Sequence, residues 1–187
     1  MNYPSGIKKN IAIKKEQRNY KNLGMNLEND INSTNEYYIN KEMAYIYKKP
    51  TPIKLVKVDY KKGKIEEAYF EKPSTTDYNG IYKGKYIDFE AKETINNKGF
   101  PLNNIHKHQI SHIRNIVKEN GICFLIVRFT KINKTYLLMA KDFIEYIDNN
   151  KKTIIPMDYF KNVGYLIKEK FIPRVDYLEI ISKMEDL

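Results

Sequence analysis

The stretch TTDYNGIYKGKYIDFEAKET, residues 75–94, reads as two extended segments joined at Lys83-Gly84. A two-residue turn with Gly84 at positive φ closes such segments into a hairpin. Counting outward from the turn, Tyr82 faces Lys85, Asp77 faces Glu90 and Thr75 faces Lys92. Opposed residues point to one side of a sheet, as do alternate residues along a strand. Thr75, Asp77, Glu90 and Lys92 therefore share a face, with Tyr86 and Asp88 further along it. Ile87, Phe89 and Ala91 line the other face and are available to a core. Asn79-Gly80 is the place where a bulge would shift this register.

The acids of this stretch (Asp77, Asp88, Glu90 and Glu93) stand in a chain of net charge +10. Two carboxylates about 5 Å apart repel by about 3 kcal/mol at an effective dielectric of roughly 20, equivalent to raising one pKa by about two units. A lysine-rich chain had cations to put there instead. A divalent ion between Asp77 and Glu90 explains the pairing better than a structural role. Hard oxygen ligands select Mg²⁺, or Mn²⁺ as a substitute, over Zn²⁺, for which His and Cys are expected. Magnesium keeps several waters, one of which is available as a nucleophile. Lys92, two residues beyond Glu90 on the same face, can place its ammonium beside that water or beside the charge that develops at phosphorus.

Composition agrees with a nucleic-acid partner. The 187 residues carry 33 Lys and Arg against 23 Asp and Glu, and 42% are hydrophobic, enough for a proper core. Such an excess predicts a positive surface field, with a polyanion as partner rather than an anionic membrane. Apolar runs stay far short of the ~20 residues that cross a bilayer. MNYPSGIKKNIAIKK lacks the apolar core of a secretory signal. The lone Cys123, in GICFLIVRF, has no disulfide partner and reads as a buried thiol. A cytoplasmic protein in a reducing compartment is expected.

Along the chain, residues 1–21 hold six Lys/Arg and one Glu without hydrophobic periodicity, which predicts a mobile basic arm. Leu27, Ile31, Thr34, Tyr38 and Ile39 predict a helix over 25–41, followed by a short strand over 44–48. Residues 48–74 are bounded by prolines and fold about Lys61-Lys62-Gly63-Lys64 as two extended stretches with a basic tip. A helix over 104–120 follows the hairpin, with Gly121 as its C′ residue. Strands over 121–129 and 135–140, a helix over 141–146 and a last helix over 177–184 complete the reading. This interleaving predicts an α/β fold with a mixed sheet flanked by helices.

An acid followed by a strand carrying Glu-x-Lys, here Asp77 and Glu90-Ala91-Lys92, is the pattern of the PD-(D/E)xK nucleases. The resemblance narrows further. GMNLENDINSTNEYY, STTDYNGIYKGKYIDFEAKET, FPLNNIHKHQISH, GICFLIV and FIPRVDYLEII are similar, in this order, to the RecU family of Holliday-junction resolvases, over residues 20–182. The resemblance implies a restriction-endonuclease-like core over 22–187 with a protruding β stalk at about 48–74. It also implies a homodimeric, Mg²⁺-dependent endonuclease that makes paired nicks across four-way DNA junctions in recombination and repair. It assigns metal ligation to Thr75, Asp77, Glu90 and Gln109 and transition-state stabilisation to Lys92. Contacts with recombinase and branch-migration proteins are a further family property. Lys54, Lys57, Lys61, Lys62 and Lys64 of the stalk are the candidate DNA contacts.

Other residues have plainer readings. Glu28 reads as a solvated helix charge, or as an acid reaching the outer shell of the metal. Asp88 reads as a partner of Lys or Tyr rather than a ligand. His106 and His108, two apart on a helix, point to different faces, whereas His108 and His112 share one and read as packing or phosphate contacts. Tyr60 and Tyr69 are suited to stacking on unpaired bases or to packing within the stalk. Two other functions stay open on residues alone: a PD-(D/E)xK nuclease acting on linear duplex, and a basic DNA-binding module without catalysis.

Overall fold

The structure, a computed structural model, describes residues 27–70 and 75–184. The basic arm expected over 1–21 lies outside the described residues, as do residues 71–74 at the end of the predicted stalk and the start of the first predicted helix. The elements are α1 (Leu27–Asn40), β1 (Tyr45–Lys48), β2 (Ile53–Asp59), β3 (Lys64–Phe70), β4 (Tyr78–Tyr82), β5 (Lys85–Thr94), β6 (Gly99–Pro101), α2 (Lys107–Lys118), β7 (Ile122–Phe129), β8 (Lys134–Met139), α3 (Ala140–Asn149), β9 (Ile154–Pro156), α4 (Met157–Asn162), β10 (Tyr165–Ile167) and α5 (Tyr177–Ile181). A six-stranded sheet in the order β1-β4-β5-β7-β8-β10 organises them. It is mixed: β5 and β7 run parallel, joined through α2, and the other neighbours are antiparallel.

The hairpin register is the expected one. Tyr82 pairs with Lys85 and Tyr78 with Phe89, without a bulge at Asn79-Gly80. Lys83 and Gly84 both adopt positive φ, the conformation of a type I′ turn. Alternation along β5 and β7 then divides the interior into two layers. Ile87, Phe89, Phe124 and Ile126 face α1 and α5, where Tyr38 and Tyr177 complete an aromatic cluster. Cys123, Leu125 and Val127 face α2, α3 and α4, together with Phe143 and Phe160. Every residue of β7 is buried, as befits a central strand covered on both sides.

Helix ends depart from the sequence reading. The helix expected over 104–120 is a 3-10 turn at Leu102–Asn104 followed by α2 proper. Its left-handed residue is Asn120, not Gly121. Gly121 is required for a different reason, since a Cβ there would lie 2.6 Å from Ile116 Cγ2. The helix after β8 extends to Asn149, beyond Tyr146, whereas α5 is shorter than the 177–184 reading and ends at Ile181. The pair β6–β9, α4 and the edge strand β10 carry too few residues for a periodic signal.

The stalk is an antiparallel pair, β2–β3, with irregular register between Leu55 and Val58. Its side chains are almost all exposed, including Tyr60, Tyr69 and Phe70. Lys57 pairs with Glu66 and Lys62 with Asp59; Lys54, Lys61 and Lys64 form no ion pair among the described residues. No helix of the described residues is long and apolar enough to cross a membrane.

Candidate active site

Each of the four acids in residues 75–94 meets a distinct set of partners. Glu93 accepts a hydrogen bond from Leu27 N–H at 3.0 Å, satisfying a donor at the start of α1. Asp88 is fully buried and surrounded by donors: Lys49 Nζ at 2.7 Å, Tyr86 O–H at 2.9 Å, His112 Nε2 at 3.3 Å and the Thr76 hydroxyl. Asp77 precedes β4, where the backbone ladder with β5 ends, and its Oδ2 accepts from Ala91 N–H at 3.3 Å.

Glu90 is fully buried on the α2 side of β5. Its Oε1 accepts from Gln109 Nε2 at 2.8 Å and from the Lys92 ammonium. Its Oε2 is buried and has no hydrogen-bond partner among the described residues. Burial, and then the neighbouring Asp77 carboxylate, push the Glu90 carboxyl up to about 7, against the opposing pull of Lys92. A cleft of 180 Å³ opens beside this pair, bordered by Asp77, Lys92 and Glu93 and by the Glu28–Lys48 ion pair.

Gln109 comes from the first turn of α2. Its amide oxygen accepts from His106 N–H at 3.0 Å, so that its nitrogen is presented to Glu90. His106, the N-cap residue, stands just outside the helix in extended backbone. For that reason the rings of His106 and His108 stack 5.3 Å apart, contrary to the expectation that they point to different faces. His112 lies against Asp88 and not in a chelating pair with His108. Thr75 is half-buried and lines a second cleft, at the stalk root, together with Lys49, Pro50 and Asp77. The Cys123 thiol is pushed well up by burial and is inert packing.

These residues fit a hard divalent cation. The test is the open Glu90 Oε2: a buried carboxylate oxygen beside a second carboxylate is costly unless a positive charge completes it. No group of three or more His, Cys, Asp or Glu able to hold a metal occurs among the described residues. Two carboxylates supplemented by neutral oxygens and water suit magnesium and not zinc.

The same burial carries a stability prediction. The carboxyl titrates near 7 in the folded chain and lower when unfolded, so the folded state holds more protons between these values. Stability present at acid pH is therefore lost as pH rises toward about 7 and stays lost above it. In EDTA at alkaline pH, Glu90→Gln is expected to stabilise the fold by about 2 kcal/mol, raising Tm by about 5 °C. Calorimetry at acid and alkaline pH checks this; an equal Tm for variant and wild type at alkaline pH contradicts it.

Comparison with known proteins agrees with this arrangement. The model of the family "RecU: Recombination protein U" matches residues 22–183. A Holliday junction resolvase RecU of Streptococcus thermophilus is 50% identical over 192 residues, covering 98% of this chain and 97% of that protein. Those of Oceanobacillus iheyensis and Streptococcus gordonii are 49% and 48% identical, each covering 98% of this chain and, respectively, 99% and 95% of their own lengths. With the match spanning sheet, stalk and the Asp77–Glu90 site together, the chain belongs to the RecU family.

Proposed function

We propose that this chain is a crossover-junction endonuclease, a homodimer that resolves four-way DNA junctions by paired Mg²⁺-dependent nicks during recombination and repair. The observation that carries the reading is the open, buried Glu90 Oε2 beside Asp77, in a chain whose relatives are named Holliday junction resolvases. Asp77 and Glu90 would hold the ion, with Thr75 as a neutral oxygen donor; Gln109 would join them only with its amide turned, since its oxygen accepts from His106 N–H and its nitrogen donates to Glu90. When bound, the ion supplies Lewis acidity to a phosphate oxygen and to the attacking water. Lys92, in contact with Glu90, holds its ammonium where charge accumulates as the P–O bond breaks. Gln109 and the α2 cap keep the Glu90 carboxylate from turning away from Asp77. A two-fold dimer presents identical sites to equivalent strands, which makes the incisions symmetric.

The test is incubation of a synthetic four-way junction and a matched linear duplex with Mg²⁺ or EDTA, mapping each cut. Symmetric nicks on the junction alone, abolished by EDTA, are expected. Equal cutting of the linear duplex would support the restriction-type reading. Binding of both without cutting would support the non-catalytic module.

The stalk lysines supply phosphate contacts in this reading. Lys61, Lys62 and Lys64 crowd the tip, and each phosphate contact contributes about 0.9 to the log–log salt dependence of binding. Replacing all three with Ala is expected to flatten the slope for junction binding by about 2.7. A titration series from low to high salt reads this directly, and an unchanged slope would remove the tip from the DNA interface.

A further inference from the structure

The stalk leaves the core at Lys48-Lys49 and returns at Thr75–Asp77, and both roots meet on Asp88. Lys49 grips the returning segment in two ways and β5 in a third. Its main-chain N–H donates to Asp77 O at 2.8 Å, and its ammonium donates to Thr76 Oγ1 at 2.9 Å and to Asp88 at 2.7 Å. The Thr76 hydroxyl in turn donates to Asp88 Oδ1, closing a triangle that links both roots to β5. His112 extends it to α2, the helix whose Gln109 bonds Glu90.

The contrast between the two buried acids of β5 gives their roles. Asp88 and Glu90 lie two residues apart on one face, and both are fully buried. A carboxylate has about four acceptor sites. Donors from Lys49, Thr76, Tyr86 and His112 engage Asp88, and its charge is matched by Lys49. Glu90 keeps an oxygen open. Asp88 is therefore occupied with holding protein, while Glu90 is available to a ligand. Pro50 directly follows Lys49 and Pro52 stands two residues further on, and their fixed φ angles limit swivelling of the outgoing root.

We infer that Asp88, Lys49 and Thr76 are positioning residues that clamp both roots of the stalk to the strand bearing Glu90, holding the stalk and the Asp77–Glu90 pair in one frame. This rests on the proposed junction-cleaving activity and adds the element that links seating of the stalk to alignment of the cutting site. Asp77 is adjacent to Thr76, so slack in the clamp displaces Asp77 relative to Glu90. A misplacement of about 1 Å in such a site costs on the order of 10²-fold in rate.

The experiment compares single-turnover nicking of a four-way junction across a Mg²⁺ series for wild type, Asp88→Asn, Lys49→Met, Thr76→Val and Thr76→Ser. Binding of junction and linear duplex is measured in EDTA, and the folded fraction by thermal melts. Asp88→Asn and Lys49→Met are expected to lose about 10²-fold in rate, and Thr76→Val about tenfold, each with a Mg²⁺ midpoint shifted upward and a weaker preference for the junction. Thr76→Ser, which keeps the hydroxyl, stays within about threefold of wild type. Should the two charge variants fail to fold, the Thr76 pair decides. Folded variants that nick within about threefold of wild type at an unchanged Mg²⁺ midpoint overturn the clamp, as does a lowered Tm with no change in rate per folded molecule. A wild-type protein that leaves the junction intact would overturn the proposed function itself, a distinguishable result.

Discussion

Asp77→Asn and Glu90→Gln are each expected to lose at least about 10³-fold in junction nicking, with junction binding in EDTA staying within about threefold of wild type. The size follows from what each change removes. A hard cation between two carboxylates loses half of the protein's negative charge with either substitution, and a neutral amide oxygen recovers little of it. The chemistry that depends on the ion fails with it. Binding is expected to survive because the proposed function gives the phosphates to the exposed stalk lysines, which do not line the cleft at Asp77. Single-turnover nicking together with gel-shift titration checks both halves. A double variant that cut at the wild-type rate would remove Asp77 and Glu90 from the site.

Gly80→Ala is expected to cost at least about 3 kcal/mol, enough to threaten folding of the chain at growth temperature. A Cβ on Gly80 would lie 2.1 Å from Tyr45 O, 2.6 Å from Ile46 Cα and 2.9 Å from Tyr45 C. All three are backbone atoms of the neighbouring strand, so no side chain can turn aside to make room. Relief requires β1 to move off β4, breaking the Tyr45–Lys48 pairing. Because β1 runs on into Lys49, the same displacement strains the stalk root and, through Lys49 N–H, the Asp77 backbone. Urea unfolding measures the loss; a midpoint equal to wild type would show that β1 is not held against β4 in solution. Gly84→Ala meets no atom within 4 Å and disturbs only a positive φ in the exposed turn, so it serves as the mild control.

The residues legible in the sequence are those governed by local rules. Lys83-Gly84 specifies a two-residue turn, and the turn fixes the register, so Asp77 opposite Glu90 follows by counting. Alternation then separates Phe89, packed between Tyr78 and Phe124, from Glu90 on the reverse face. The stalk was readable because prolines and a glycine-containing basic tip bracket two extended runs. The parts that escaped reading have weak local signals. β6 and β9 are three residues each, with their pairing partners far apart in sequence. Asn120 takes the left-handed cap that Gly121 was expected to fill, while a Cβ on Gly121 would crowd Ile116.

By itself, then, the sequence determined the hairpin, its register and the side of the strand on which the carboxylates stand, because turn geometry and a period of two act between near neighbours. The approach of Lys49 and His112 to Asp88, the turning of the Gln109 nitrogen toward Glu90, and the open oxygen beside Asp77 were decided only by the tertiary structure. These contacts join segments 19 to 39 residues apart. Which donor reaches which acid depends on how α2 and the stalk roots pack on the sheet, and those donors, not burial, separate a saturated carboxylate from one left for a ligand.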